Sequence, residues 1–159
     1  MSTLSIDNLP IQWTSCSFAE LDTVSLYEIL VLRQQIFVVE QECPYQDADG
    51  LDFHAMHIQG RMDNKLICYA RIFPPTMSYN TICVTIGRVI VDAQYRHLKI
   101  GSVLVLEAEN QSIQYWGKTP FFLSAQAHLH KFYGNLGYVQ CGEGYDEDNI
   151  PHIPMIKQC

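Results

Sequence analysis

The 159-residue sequence predicts an α/β domain built on a mixed sheet. Three observations predict it. Val89, Ile90 and Val91 form a β-branched run with the composition of a buried strand. The apolar run Val103 to Leu106 then follows without strand alternation. Its polar residues fall at Glu107, Asn110, Gln111 and Gln114, which is one stripe of a helix. Shorter strand-like and helix-like runs flank this strand-turn-helix unit, and together they give the order β-α-β-β-β-α-β-α-β-β.

Each element has its own local reason. Ile11 to Ser17 alternates as an opening strand. Ser25-Leu-Tyr-Glu28 has the spacing of a capping box, and Leu26, Ile29, Leu30 and Phe37 mark one face of a helix running to about Val39. Residues 40–52 hold Pro44, Gly50 and three aspartates, the content of a loop. Phe53 to Gly60 and Leu66 to Phe73 flank the turn-rich Arg61-Met-Asp-Asn-Lys65 and read as an antiparallel hairpin, stopped by Pro74 and Pro75. A loop through Asn80 leads into the central strand, Cys83 to Val91. The following helix spans Ser102 to Trp116, and Thr119-Pro120 ends the connection. Phe121 to Ala125 is the next strand. Leu129 to Leu136 is a short helix ended by Gly137, suited to the left-handed position past a helix end. Tyr138 to Cys141 and His152 to Ile156 are the last strands, with an acidic loop, Glu143 to Asp148, between them. No repeat, low-complexity tract or linker divides the chain, so residues 1–159 are expected to form one domain.

Composition narrows the function. Apolar residues make up 48% and charged residues 17%, a globular balance. The net charge of −7, with no cluster of Lys and Arg, argues against nucleic acid as a partner. It also repels anionic ligands, so an anion site needs a local patch such as Arg88, Arg96 and Lys99. No apolar run approaches the length of a membrane span. The six cysteines form no CxxC pair, and Met1 to Pro10 has no signal-peptide pattern, so a reduced cytoplasmic setting is expected.

Gly101 and Ser102 open the helix after the central strand. The unpaired N–H groups of a first helical turn and its positive dipole end attract anions, and Arg96 and Lys99 stand beside that end. Locally, this is either a phosphate cradle or an ordinary strand-to-helix turn. The wider sequence brings in a family. Residues 85–106 resemble motif A of the GNAT N-acetyltransferases, Arg/Gln-x-x-Gly-x-Gly/Ala after a strand: Arg96 and Gly101 fit, and Lys99 stands where the first glycine is usual. Glu-Gln-Glu-Cys-Pro-Tyr-Gln-Asp-Ala-Asp-Gly (40–50), Ala-Gln-Ala-His (125–128), Phe-Tyr-Gly-Asn-Leu-Gly-Tyr (132–138) and Ile-Pro-His-Ile-Pro-Met (150–155) are similar to the ElaA-like branch of that superfamily.

The resemblance implies a GNAT fold with a mixed, mainly antiparallel sheet and flanking helices, and acetyl-CoA as co-substrate. It implies that the backbone of His97, Leu98, Lys99, Ile100, Gly101 and Ser102 binds the pyrophosphate, with Arg96 supplying charge. The edge of Val89, Ile90 and Val91 would pair with the pantetheine amides like an added strand. Backbone donation lets a lysine replace glycine at 99 if its φ is negative; a positive φ costs about 1 kcal/mol. Gln126 stands where relatives carry an asparagine that bonds the pantetheine arm. Tyr133 would donate to the departing thiolate, although Phe132 and Tyr133 also suit plain aromatic packing. Relatives of this fold pair through sheet edges, so a homodimer is expected.

An incoming amine is charged at neutral pH and must lose a proton before it attacks. The central strand offers Arg88 and no carboxylate. His57, His128, Glu40 and Glu42 are the candidates for the base, each with an ordinary structural alternative. A zinc site from His54, His57, His128, His130 and His152 with Cys43 or Cys141 lacks any recurring ligand spacing, and His54 and His57, three apart in a predicted strand, point to opposite faces. No metal is therefore expected. The resulting expectation is acetyl transfer to an amine, on a small molecule or a protein; the alternative is an acyl-CoA-binding module on the same fold without turnover.

Overall fold

The computed structural model describes residues 10–159; the signal-peptide reading of residues 1–9 lies outside them. Eight strands, β1 (Gln12–Ser17), β2 (Met56–Met62), β3 (Lys65–Ser78), β4 (Thr81–Val91), β5 (Phe121–Gln126), β6 (Val139–Gln140), β7 (Tyr145–Glu147) and β8 (Ile150–Lys157), form one sheet. The strand order is β1-β2-β3-β4-β5-β8-β6, with β7 also on β8. Among the described residues only β4 and β5 run parallel; every other pairing is antiparallel. This is the expected mixed, mainly antiparallel sheet.

Helices cover both faces. Ile100, Leu104, Val105 and Ala108 of α2 (Ile100–Trp116), with Tyr133 of α3 (His130–Asn135), pack on Ala70 and Ile72. Ile29 and Leu32 of α1 (Thr23–Arg33) pack instead on Tyr69 and Ile90. Neighbouring residues of a strand point to opposite faces, so Tyr69 and Ala70 separate the two layers. α1 continues without a break as π-helix over Gln34–Glu40, carrying Ile36 into its core. Among the described residues no helix is long and apolar enough to cross a membrane.

Several local expectations are corrected. Ser25 does not open a capping box: Asp22 caps α1, accepting from the Ser25 N–H at 2.8 Å. Pro74 and Pro75 do not end β3, because they sit where its register with β4 slips between Phe73 and Thr76, an irregularity that needs no proline N–H. Asn80 belongs to a two-residue hairpin turn with Tyr79, both at positive φ, and the expected acidic loop contains β7 and a second such turn at Asp148-Asn149. His54 lies in a short 3-10 turn, Asp52–His54, rather than in a strand, and among the described residues no His, Cys, Asp or Glu group gathers to hold a metal.

The 40–52 loop is tied down by charge. Arg33 donates to Asp47 and Asp52 at 2.7 Å each, Arg71 to Asp49 and Asp52 at 2.8 Å, and Arg88 Nε lies 2.8 Å from Asp47. Hydrogen bonding from Arg71 holds the Asp49 carboxyl well below the usual carboxylate range. Burial works to raise Asp52, and the bonds from Arg33 and Arg71 override it, so its pKa is lowered too. A carboxylate with a depressed folded pKa contributes stability in full above the unfolded value of about 4, and loses it as pH falls through the folded value. Urea melts from pH 6 downward are therefore expected to hold a plateau to about pH 4 and then drop steeply. The Asp52→Asn variant should be less stable on the plateau and fall less steeply; an equal slope would contradict the assignment.

Candidate active site

β4 and β5 are in register only at Val84–Phe121 and Thr85–Phe122. Beyond these pairs the strands part, and a cleft of about 750 Å³ opens between Ile86–Val91 and Leu123–Gln126. The cause lies in β4. Its register with β3 shifts between Gly87 and Ile90, and Arg88 sits at φ +53°, a bulge that bends the strand. A positive φ costs an arginine about 1 kcal/mol. The side chain is held by its contact with Asp47 and lies over the rings of Phe37 and Tyr45, at 5.6 and 5.8 Å. On the β5 side, Ile86 to Val91 thus present backbone groups that no strand among the described residues takes up, in a wall lined by both helical layers. A cleft through a sheet with one free strand edge suits an extended ligand bearing amides.

The anion end is at the start of α2. Lys99 is left-handed, φ +57°, so the lysine in place of glycine carries the strain that the sequence left open. Among the described residues no side chain caps α2. The Lys99 and Ser102 N–H groups donate to the carbonyls of Arg96 and Lys99 at 3.1 and 3.3 Å, which leaves Ile100 and Gly101 as the first-turn donors. The expected basic patch is largely neutralised. Arg96 forms a two-pronged pair with Glu40 at 2.5 and 2.9 Å and bonds the Val91 carbonyl at 3.1 Å, while Arg88 belongs to the aspartate cluster. Lys99 makes no ion pair among the described residues. Free strand edge, uncapped helix start and lysine fit the amides and phosphates of a CoA-type molecule.

The cleft brings together Val89, Ile90, Val91, Arg96, Lys99, Gly101, Ser102, Gln126, His128 and Tyr133. His97 and Leu98 do not line it, and Ile100 is buried in the core, so any part they play is through the backbone. Gln126 forms a reciprocal amide pair with Gln41 at 3.1 and 3.4 Å, strapping the π-helix end to β5. Tyr133 is buried edge-to-face between Phe132 and Tyr138, and burial pushes its pKa up to about 12. His128 is exposed at the rim.

His57 is not in the cleft. Only 1% exposed, it donates from Nε2 to the Asp52 carbonyl at 3.0 Å and accepts from the Tyr69 hydroxyl at 2.8 Å. Burial lowers its pKa, keeping it neutral with both nitrogens occupied, so it is a core residue and not a base. Glu42 does not line the cleft; Glu40 does, bound to Arg96. Sequence reasoning missed Gln41, Ser124 and Asn135 as cleft residues, and weighed His152 only as a zinc ligand. Gln41 and His152 lie inside stretches that carried the family resemblance, yet no spacing rule assigned them a place.

Comparison with known proteins agrees with the fold. Residues 37–159 match the family described as Acetyltransferase (GNAT) domain, so the chain belongs to the GNAT acetyltransferase family. Within it the chain is ElaA-like. It is 41% identical over 150 residues to Protein ElaA of Escherichia coli strain K12, covering 93% of this chain and 97% of that one. The crystal structure of E. coli ElaA superposes with a TM-score of 0.83 at 40% identity, over 93% and 99% of the two chains. An acyl-CoA N-acyltransferase from Pseudomonas aeruginosa does so equally well, with a TM-score of 0.83 and 40% identity over 92% and 99%. PaiA N-acetyltransferase of Thermoplasma acidophilum, solved in complex with coenzyme A, shares the fold at 15% identity, with a TM-score of 0.66 over 95% and 100%.

Proposed function

We propose that the protein transfers an acetyl group from acetyl-CoA to an amine acceptor by direct attack of the amine on the thioester. The observation that carries this reading is the parting of β4 and β5, which leaves the β4 edge free beside the uncapped start of α2. In this reading the first-turn amides of α2 and Lys99 bind the pyrophosphate, the Ile86–Val91 edge takes the pantetheine amides, and a β4 N–H donates to the thioester oxygen as it gains charge. Acetyl-CoA supplies the activated acyl carbon; the protein supplies orientation and exclusion of water. Tyr133 donates its proton to the departing sulfur. The test is release of free CoA thiol when acetyl-CoA is offered with polyamines, amino acids and peptides. Acetyl-CoA binding without release for any amine would favour a binding module and sink the enzymatic reading.

Arg96 meets an anionic ligand only by leaving Glu40. Arg96→Ala is expected to weaken acetyl-CoA binding in calorimetry by about 1–3 kcal/mol, the range of a charge-assisted bond. Glu40→Gln removes the competing carboxylate and is expected to tighten binding. Opposite signs separate a ligand-binding role from a structural ion pair, whose loss would act alike in both variants.

A further inference from the structure

We propose that His152 is the general base that takes the proton from the acceptor amine, an assignment that rests on the acetyl-transfer reading above. The reaction needs such a group, β4 carries no carboxylate, and His57 is sealed in the core. His152 lies on β8 directly opposite Gln126 of β5 and lines the cleft. Residues directly opposed in an antiparallel pair share a face. His152 therefore stands on the same face as Gln126, and as Ser124 two residues earlier on β5. That is the side on which Gln41 reaches over from the π-helix.

The ring is held for the task. Nδ1 lies 2.7 Å from the Ile150 carbonyl. A carbonyl only accepts, so Nδ1 carries the hydrogen and the neutral ring keeps its lone pair on Nε2. Nε2 makes no hydrogen bond among the described residues. The ring also stacks on Tyr145 of β7, with centroids 6.1 Å apart and planes at 20°, and the Tyr145 hydroxyl is anchored to Ser124. A carbonyl on one nitrogen, a stacked ring and an unbonded second nitrogen, on a residue that lines the cleft, are the features of an oriented base. His128, the other cleft histidine, is exposed and makes no side-chain hydrogen bond among the described residues, so its tautomer is not set.

The proton balance closes. The ammonium form of the acceptor gives one proton to Nε2, leaving a neutral amine and an imidazolium. The amine nitrogen bonds the thioester carbon as the carbon–sulfur bond breaks, and the sulfur takes a proton from Tyr133; the surplus proton of the new amide nitrogen restores the Tyr133 phenol through solvent, and the imidazolium releases its own to bulk water, one proton in net. Tyr145 on β7 stacks on His152, Gln126 on β5 lies opposite it, and Ser124, Gln41, the Arg96-bound Glu40, His128 and Tyr133 line the same cleft.

The test begins with wild-type protein and the amine that supports CoA release. His152→Gln is expected to slow turnover by about 10²–10⁴-fold at saturating acetyl-CoA. Its acetyl-CoA affinity should be retained, and the rising limb of the kcat/KM pH profile should vanish. Retained turnover in His152→Gln, or a matching loss carried by His128→Gln alone, overturns the assignment while leaving acetyl transfer standing. Absence of turnover in the wild type with every amine overturns both. Long-range ¹H–¹⁵N spectra of the native protein add a check that needs no variant: the neutral ring should carry its hydrogen on Nδ1, and an Nε2–H tautomer overturns the proposal.

Discussion

Tyr133→Phe is expected to slow acetyl transfer by about 10²–10⁴-fold, with acetyl-CoA affinity and melting temperature nearly unchanged. The ring makes its contacts through carbon: it meets Phe132 edge-on at 4.9 Å and Tyr138 at 5.9 Å, and phenylalanine keeps both. Only the hydroxyl is lost, and no hydrogen bond to it forms among the described residues. Removing an oxygen that satisfies nothing else in the fold leaves stability where it was. The effect on chemistry is different. A phenol whose pKa burial pushes up to about 12 is fully protonated at neutral pH, so its O–H is present to donate to a sulfur acquiring negative charge, although the same burial makes it a weaker acid. The measurement is the rate at saturating acetyl-CoA, beside a thermal melt. If the amine itself delivers the proton to sulfur, the loss shrinks to a few-fold, and a fully active variant makes Tyr133 a packing aromatic.

Much of the fold was legible because its signals are periodic. The strand-turn-helix unit at 89–116 announced itself through one β-branched run and one polar stripe, and the stripe does lie toward solvent, with Asn110 and Gln114 exposed. What escaped were features set by tertiary partners. Pro74-Pro75 reads as a strand stop, yet β3 continues because the pair sits in a register irregularity. Tyr79-Asn80 and Asp148-Asn149 are tight hairpin turns without the glycine that usually marks one. The charged 40–52 segment reads as a solvated loop. Its aspartates are spent on guanidiniums from α1, β3 and β4, partners 14 to 41 residues away.

The site divides in the same way. Motif A put Arg96, Lys99, Gly101 and Ser102 beside a cleft, because an anion site at a helix start is a local arrangement. It said nothing of Glu40 answering Arg96 from 56 residues away, nor of Lys99 being left-handed. His57 is a candidate base on residue type alone; its place in the core depends on Tyr69 and the Asp52 carbonyl. His152 enters the sequence reading only as a zinc-ligand candidate, because its tautomer is set by a backbone carbonyl, which no side-chain pattern encodes.

Arg33→Met is expected to lower unfolding free energy by about 3–5 kcal/mol, a large part of the roughly 5–15 kcal/mol that holds a domain folded. Arg33 is 1% exposed and donates from Nε to Asp47, from Nη1 to Asp52 and from Nη2 to the Asp47 carbonyl, at 2.7, 2.7 and 2.9 Å. Methionine fills much of the volume of the arginine stem, so the cost is not a cavity; it comes from Asp47 and Asp52, left buried with one guanidinium fewer. Adding Asp47→Asn to Arg33→Met should therefore recover part of the loss, whereas two independent packing defects would add. The same cluster anchors the segment that follows the π-helix, and Glu40 and Gln41 reach the cleft from that junction. Loosening it should also weaken acetyl-CoA binding in the molecules that remain folded. Urea denaturation followed by calorimetry at a temperature where both proteins are folded measures the two effects separately. A stability change within about 1 kcal/mol would show that the buried pairs only break even against a hydrophobic replacement. A full stability loss with unaltered affinity would uncouple the cluster from the cleft.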